Sequence, residues 1–149
     1  MGLDMYLTAK RYVSDYNDTD KVLSTELMRH FPELTESQTI QEVSVRVGYW
    51  RKANAIHKWF VDHVQEGKDD CNPYYVSRDQ LTALRDVCVR VRDWPGGLAA
   101  EQLPTASGFF FGNTDYDEWY FRDIENTAKI IDECLLLPKP WEFEYSSSW

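Results

Sequence analysis

The strongest constraint on the fold is a change of hydrophobic period near Gly48. Before this residue, the valines of 43–47 alternate with polar residues, which is typical of a strand with one buried face. After it, apolar residues recur at spacings of three and four, which predicts that the strand ends at Gly48 and a helix covers residues 49–65. The inner stripe of this helix is predicted to be Tyr49, Ala53, Ile56, Phe60 and Val64.

The other segments add elements of both kinds. Strands are predicted at residues 4–13, 43–47 and 109–111, the first with Met5, Leu7 and Ala9 on one face. Helices are predicted at residues 20–31 and 49–65, from a capping box at Ser77, and from a cap formed by Thr114 with Asp117. The apolar stripes of the first, third and last helices are predicted to be Val22, Leu23, Leu27 and Phe31; Leu81, Leu84, Cys88 and Val91; and Tyr120, Ile124, Thr127, Ile131 and Cys134. This mixture predicts the α+β fold class, as a single compact domain over residues 1–149 with about four helices packed on a small sheet of three to four short strands.

The C-terminal segment, residues 138–149, alternates aromatic residues with glutamates after two prolines. Trp141, Phe143 and Tyr145 would share one face of an extended chain. We therefore expect this segment to form an edge strand or an interaction tail.

Aromatic residues make up 15% of the chain, as six Trp, nine Tyr and seven Phe. Each ring buries roughly 150 to 250 Å², so a core is expected without disulfides or metal, and some rings are expected to line a pocket or an interface. Of three cysteines, Cys88 and Cys134 lie on apolar helix stripes and are expected to be buried thiols in a reducing compartment. No segment has the pattern of a membrane span or signal peptide, so we expect a cytoplasmic protein that does not bind membranes.

The formal net charge of −9 argues against non-specific nucleic-acid binding, which needs Lys and Arg to neutralise phosphates. No direct contact with nucleic acid is therefore expected. Phosphate-binding loops, nucleophile elbows and paired-cysteine motifs are also missing from the sequence. The three histidines, His30, His57 and His63, do not share a helical face at metal-ligand spacing, so neither a metal site nor a cofactor is predicted.

One candidate ligand-binding segment is Gly-Tyr-Trp-Arg-Lys-Ala-Asn-Ala-Ile-His-Lys-Trp-Phe at residues 48–60. On a helix, Trp50, Asn54 and His57 would form a column beside the apolar stripe, with Arg51 flanking it. Two interpretations stay open. Asn54 and His57 are either hydrogen-bonded core residues that pin the helix to a neighbour, or, with Arg51, polar contacts of a pocket in which Trp50 stacks on a ligand.

The second candidate is Gly-Phe-Phe-Phe-Gly-Asn-Thr-Asp-Tyr-Asp-Glu-Trp-Tyr at residues 108–120. Its acids would stabilise the first turn of a helix through the helix dipole, with no further role. Alternatively they supply a general base, a cation site or acceptors for sugar hydroxyls, and free backbone N–H groups hold a phosphate. The ligand-binding residues predicted here are Thr114, Asp115, Tyr116 and Asp117.

These two segments, the start Met-Gly-Leu-Asp-Met-Tyr-Leu and Cys-Asn-Pro-Tyr-Tyr-Val-Ser at residues 71–77 resemble a family of small uncharacterised proteins of tailed bacteriophages. The resemblance covers most of the chain and is weakest over residues 14–42 and after Leu137. It implies an accessory protein made in the bacterial host cytoplasm during infection, with a role in countering host defence. It brings no catalytic residues with it.

Three functions from different classes follow. The first is binding and sequestration of a nucleotide-derived small molecule without turnover, because aromatic rings beside cationic and amide side chains can stack on bases. The second is inhibition of a host defence or nucleic-acid enzyme through protein–protein contact, using the acidic surface and the C-terminal tail. The third is a small hydrolase or lyase that pairs His57 with Asp115 or Asp117 as acid and base. A homo-oligomer is compatible with all three.

Overall fold

A four-stranded antiparallel sheet organises the computed structural model, which describes residues 2–94 and 96–149. Its spatial order is β2-β1-β4-β3. The strands are β1 (Asp4–Tyr12), β2 (Glu42–Arg51), β3 (Tyr74–Val76) and β4 (Glu142–Ser148). The described helices are α1 (Asp18–Met28), α2 (Asn54–His63), α3 (Arg78–Asp93), α4 (Ala99–Gln102) and α5 (Glu118–Leu135).

One hydrophobic core joins the sheet to the helices. Along β1, Met5, Leu7 and Ala9 are fully buried, whereas Tyr6 and Thr8 on the opposite face are only half-buried. The buried apolar residues of α2, α3 and α5 belong to the same cluster as those of the sheet. The predicted α+β class and single compact domain are therefore confirmed. None of the described helices is both long enough and apolar enough to cross a bilayer.

The two long helices follow the sequence pattern closely. Ser77 and Gln80 form the predicted capping box, with Gln80 N–H donating to Ser77 Oγ (3.1 Å) and Ser77 N–H donating to Gln80 Oε1 (2.9 Å). Helix α5 begins at Glu118 with Asp117 as its N-cap, so the predicted start at Thr114 is three residues too early. The predicted inner stripes are buried in both helices, comprising Leu81, Leu84, Cys88 and Val91 in α3 and Tyr120, Ile124, Thr127, Ile131 and Cys134 in α5.

The predicted strand end at Gly48 is wrong. Strand β2 continues to Arg51, and its register against β1 shifts between Leu7 and Thr8 through a bulge. A Cβ at Gly48 would lie 2.9 Å from Ile130 Cγ2, so this glycine lets α5 approach the sheet closely. Helix α2 consequently starts at Asn54, and Tyr49 lies on the strand with 45% of its surface exposed.

The first helix is also oriented differently from its prediction. Val22, expected inside, is 70% exposed, whereas the charged Asp20 is buried. Asp20 is held by the Arg11 guanidinium and by the backbone N–H of Ser14 (3.0 Å). An ion pair with β1 therefore holds the buried side of α1, while Leu23 and Leu27 of the predicted stripe are only half-buried.

Two further strand predictions need correction. The C-terminal segment is neither an edge strand nor a free tail, because β4 pairs with β1 on one side and β3 on the other. It takes the interior position because Phe143 and Tyr145 are buried in the core. Residues 109–111 form no strand: Phe109 is 95% exposed, and Phe110 O accepts one bond from the N–H of Leu3, the residue before β1 (3.1 Å).

Candidate functional site: a charged cleft at the start of helix α2

His57 is enclosed in the core by a chain of hydrogen bonds. Its Nε2 lies 3.0 Å from Asp69 Oδ2 and its Nδ1 lies 2.7 Å from the hydroxyl of Tyr145, and only 1% of the residue is exposed. A carboxylate only accepts hydrogen bonds, so Nε2 donates to Asp69, and in the neutral imidazole the other nitrogen, Nδ1, accepts from the Tyr145 hydroxyl. Burial, with the negative Asp69 nearby, raises the pKa of Tyr145 well above its ordinary value, so this hydroxyl keeps the proton it donates. The hypothesised pairing of His57 with Asp115 or Asp117 does not form.

Trp50 is enclosed in the same way. It lies on β2, is 2% exposed, and donates from Nε1 to Thr127 Oγ1 at 2.9 Å. Its ring packs near Phe60, with centroids 6.2 Å apart. The predicted column of Trp50, Asn54 and His57 is therefore absent, because Trp50 is not on the helix. The pocket in which Trp50 was expected to stack on a ligand is filled by the core.

Asn54 fixes the long loop that precedes α5. Its amide nitrogen donates to the carbonyls of Phe111 (3.1 Å) and Asn113 (2.8 Å), and its oxygen accepts from the N–H of Ala106 (3.0 Å). These bonds satisfy a side chain that is 5% exposed. For both Asn54 and His57, the interpretation as hydrogen-bonded core residues describes the observed contacts.

The loop held by Asn54 closes one side of an open cleft of about 340 Å³. The start of α2 forms one wall and the start of α5 forms the other. Of the predicted ligand-binding residues, the structure brings Arg51, Asn54, Asp115 and Asp117 to this cleft. The remaining lining residues are Lys52, Ala53, Ala55, Ile56, Thr105, Gly112, Asn113, Trp119, Tyr120, Asp123 and Ile124.

The other predicted residues lie outside the cleft lining. Thr114 is exposed, and its carbonyl accepts from Thr105 Oγ1 at 2.9 Å. Tyr116 packs edge-to-face on Tyr120, with centroids 4.9 Å apart, and its hydroxyl accepts from the N–H of Thr105 at 3.4 Å. Both residues support the loop instead of facing a ligand.

The α2 wall carries two cations. Arg51 and Lys52 are exposed, and no carboxylate among residues 2–94 and 96–149 lies within 4.0 Å of their charged nitrogens. Lys52 has a left-handed backbone with φ of 59°, which is uncommon for a residue with a side chain. Ala53 (φ −76°, ψ 68°) follows as an inverse γ-turn, in which Asn54 N–H donates to Lys52 O at 2.9 Å.

The Lys52 conformation is held by its neighbours. Its N–H donates to Leu3 O at 2.7 Å, which extends the β1–β2 ladder by one bond. Across the cleft floor, a Cβ at Gly112 would lie 3.3 Å from Lys52 Cβ, and Gly112 itself has φ of 85°. Two left-handed residues thus abut at the base of the cleft, where backbone strain of about 1 kcal/mol or more is retained by the surrounding structure.

The α5 wall is acidic and carries an indole. Bonds from the N–H of Tyr120 and the amide of Asn113 lower the pKa of Asp117, so it stays ionised. Asp123 differs, because burial and then the charge of Asp117 raise its pKa to about 6. Trp119 lies one turn before Asp123 and is 66% exposed.

Sequence reasoning missed Lys52, Trp119 and Asp123. Lys52 sits beside Arg51, but nothing in the sequence reports its left-handed backbone. Asp123 precedes Ile124, a residue of the buried α5 stripe, and Trp119 lies four residues earlier on the same helix face. That spacing was the available signal for a partly buried carboxyl beside an aromatic ring.

Comparison with protein-family models, curated proteins and solved structures finds no match for this chain. The resemblance to phage accessory proteins therefore stays a prediction. Among the described residues, no cluster of three or more His, Cys, Asp or Glu side chains is arranged to hold a metal ion. The candidate site consequently rests on the geometry and charges of the cleft.

Proposed function

We propose that the cleft binds a nucleotide-derived small molecule of about mononucleotide size and sequesters it without turnover. The observation that carries the proposal is the arrangement of the cleft walls: Arg51 and Lys52, which pair with no carboxylate among residues 2–94 and 96–149, face an acidic wall with an exposed indole. A ligand matching this cleft must offer an anion at one end and hydrogen-bond donors with an aromatic ring at the other. Nucleotides combine these three features.

The cationic end suits a phosphate. Arg51 offers a planar fork of donors that matches phosphate oxygens, and Lys52 adds a second charge. Both lie at the start of α2, whose N-cap residue, Ala53, provides no side-chain acceptor. The positive end of the α2 dipole adds to the attraction for an anion.

The acidic end suits the sugar and base. The carboxylates of Asp115 and Asp117 accept hydrogen bonds, which ribose hydroxyls or an exocyclic amine supply. Trp119 offers an exposed ring for stacking, with the Arg122 guanidinium 5.4 Å from its centroid. A volume of about 340 Å³ is near the lower end of ligand pockets, which span about 300 to 1,000 Å³, and therefore favours one nucleotide over a dinucleotide.

In the phage-infected bacterial cytoplasm that the sequence resemblance implies, such binding would withdraw a nucleotide signal from host defence. Sequestration requires affinity and needs no chemical step. The closed hydrogen bonding of His57 favours this reading over the proposed His57-based chemistry.

The test is a thermal-shift screen of the full chain with nucleoside monophosphates, ADP-ribose and cyclic dinucleotides. A ligand at about 100 times its Kd stabilises a protein by about 2.7 kcal/mol, which raises the Tm of a domain this size by roughly 5 to 10 °C. Arg51→Ala is expected to weaken binding by about tenfold or more, because a charge-assisted hydrogen bond contributes about 1.5 to 3 kcal/mol. Failure of every phosphate-bearing nucleotide to shift the Tm would end the proposal.

Lys58→Ala is the matched control. Lys58 lies on α2, seven residues after Arg51, and pairs with Asp62 at 2.6 Å, but it does not line the cleft. Its loss removes one positive charge from α2 without touching the site. Equal weakening by Arg51→Ala and Lys58→Ala would mean that general charge, and not the cleft, attracts the ligand.

Acid–base turnover is a second candidate, favoured by one specific observation. Asp123 lines the cleft with a pKa of about 6, which is suited to proton transfer near neutral pH. Chromatography of any stabilising nucleotide after long incubation separates the two functions. Unchanged nucleotide supports sequestration, whereas product formation that Asp123→Asn abolishes would establish catalysis.

A further inference from the structure

The outer edge of β2 is a long and open strand edge. β2 is ten residues long and pairs only with β1 among the described strands. The opposite edge of the sheet is β3, which has three residues. Long open edges present unpaired backbone groups to other strands, so β2 is the edge at which pairing would be most extensive.

The hydrogen-bond alternation shows which backbone groups of β2 face outward. Val13 N–H donates to Gln41 O at 2.9 Å, in the same register as the β1–β2 pairs from Thr8–Arg46 to Tyr12–Glu42. Bonded pairs recur at every second residue of an antiparallel ladder. The inward-facing residues are therefore Gln41, Val43 and Val45, and the outward-facing residues are Glu42, Ser44 and Arg46.

The side chains at this edge are accessible. Val45 is 45% exposed although it shares a sheet face with the buried Ala9, and Glu42, Ser44 and Arg46 are exposed on the other face. Glu42 lies 4.0 Å from Lys10 Nζ, the limit of an ion pair, and Arg46 lies 4.5 Å from the centroid of the Tyr6 ring. Neither contact covers the edge.

We propose that β2 pairs antiparallel with β2 of a second copy of this chain, about a two-fold axis through Ser44. This register places Ser44 opposite Ser44, Glu42 opposite Arg46, and Val43 opposite Val45 of the second copy. Every outward N–H and C=O of Glu42, Ser44 and Arg46 then forms a hydrogen bond with the second copy. The two sheets become one continuous eight-stranded sheet.

Charge complementarity favours this register, and it favours a second copy of this chain as the partner strand. Opposite charges on facing residues stabilise a strand pair, and like charges destabilise it. Centring the pairing on Glu42 or Arg46 sets like charges opposite each other, and centring it on Val43 or Val45 leaves both charges without an opposite partner. The Ser44 centre alone forms two ion pairs and two valine contacts. A second copy of this chain supplies that sequence in the required direction.

The interface is short, so we expect a dimer of micromolar affinity. Sedimentation velocity on the full chain at increasing concentration is expected to show a reversible monomer–dimer equilibrium. Glu42→Arg and Arg46→Glu are each expected to weaken dimerisation by at least tenfold, because each sets like charges opposite one another. An equimolar mixture of the two variants is expected to restore a dimer, since all facing charges are then opposite.

Ser44→Pro tests the backbone pairing separately. It removes an outward N–H that β1 does not use, and proline is tolerated on edge strands, so the monomer is expected to keep its fold by circular dichroism while losing the dimer. A wild-type chain that stays monomeric at high micromolar concentration would overturn the proposal. So would single variants that dimerise like the wild type, or a mixture of folded variants that fails to associate.

Discussion

Two polar regions, one at His57 within α2 and one at Arg51 and Lys52 just before α2, differ in how their hydrogen-bonding groups are satisfied. At His57, both ring nitrogens, the Tyr145 hydroxyl and the Asp69 carboxylate are bonded to one another inside the protein. At the start of α2, the charged nitrogens of Arg51 and Lys52 meet no carboxylate of the described residues within 4.0 Å. The His57 ring therefore has no nitrogen left for a ligand, whereas Arg51 and Lys52 are free to pair with an anion.

This difference indicates which polar residues of the fold stabilise it and which are available to bind a ligand. A buried network in which each member is bonded stabilises one packing arrangement and is costly to interrupt. Arg51 and Lys52, in contrast, contribute little to stability, and the left-handed backbone of Lys52 retains strain. The closed region is therefore expected to respond to substitution through stability, and the open region through binding.

The largest expected effect comes from His57→Ala. The substitution leaves a cavity and deprives Tyr145 and Asp69 of their partner, which together lower the free energy of unfolding by about 3 to 4 kcal/mol. Urea unfolding followed by tryptophan fluorescence measures this loss. Because His57 does not line the cleft, the folded fraction is expected to retain its nucleotide affinity.

Tyr145→Phe is the graded control for that experiment. It keeps the ring stacked on Phe60, at 3.8 Å between centroids, and leaves only His57 Nδ1 without a partner. The expected loss is about 1 to 2 kcal/mol. The contrast between the regions breaks down if His57→Ala proves nearly neutral for stability but abolishes binding.

Sequence periodicity predicts the parts of the fold that depend on local pattern. The inner stripes of α3 and α5 and the buried face of β1 all agree with the structure, because burial on one face directly produces these spacings. The strand end at Gly48 was mispredicted because Trp50 satisfies two patterns. It continues the strand alternation after Gly48 and also falls near the apolar arc of a helix.

The candidate site was only partly predictable for a different reason. Spacing on α2 correctly indicates that Asn54 and His57 face inward, but their partners lie far away in sequence. Asp69 is 12 residues and Tyr145 is 88 residues from His57, and Asn54 bonds to a loop more than 50 residues later. Whether an inward polar group is satisfied depends on these distant contacts, which no local pattern records.

A smaller effect of opposite sign is expected from Lys52→Gly. Glycine adopts φ near 59° without steric cost, so relief of strain is expected to raise the free energy of unfolding by about 1 kcal/mol. The same change removes a cation from the cleft and is expected to weaken nucleotide binding about tenfold. Chemical denaturation and calorimetric titration measure the two quantities, and Lys52→Ala separates them because it removes the charge but keeps the strain.

The smallest effect is a pH-dependent one at Asp123. Its pKa of about 6 exceeds the ordinary value of 3.8, so the folded state binds the proton more tightly than the unfolded state does. The stability from this protonation is fully present below about pH 4 and is lost as pH rises through 6. Asp123→Asn is therefore expected to be more stable than the wild type at pH 7, by on the order of 1 kcal/mol after solvent screening, and equal to it near pH 4.

Asp117→Asn is expected to change the dependence of stability on pH in the opposite direction. Hydrogen bonds lower the pKa of Asp117, so its ionised form stabilises the fold, and the asparagine variant is expected to be less stable at pH 7 with a deficit that shrinks as the pH falls below 4. Tm measured from about pH 2 to pH 7 for both variants gives the two slopes, because the Asp117 effect lies below pH 4 and the Asp123 effect lies above it. Parallel curves for Asp123→Asn and the wild type would show that Asp123 is ionised at neutral pH at no cost, and would remove the reason for assigning it a proton-transfer role.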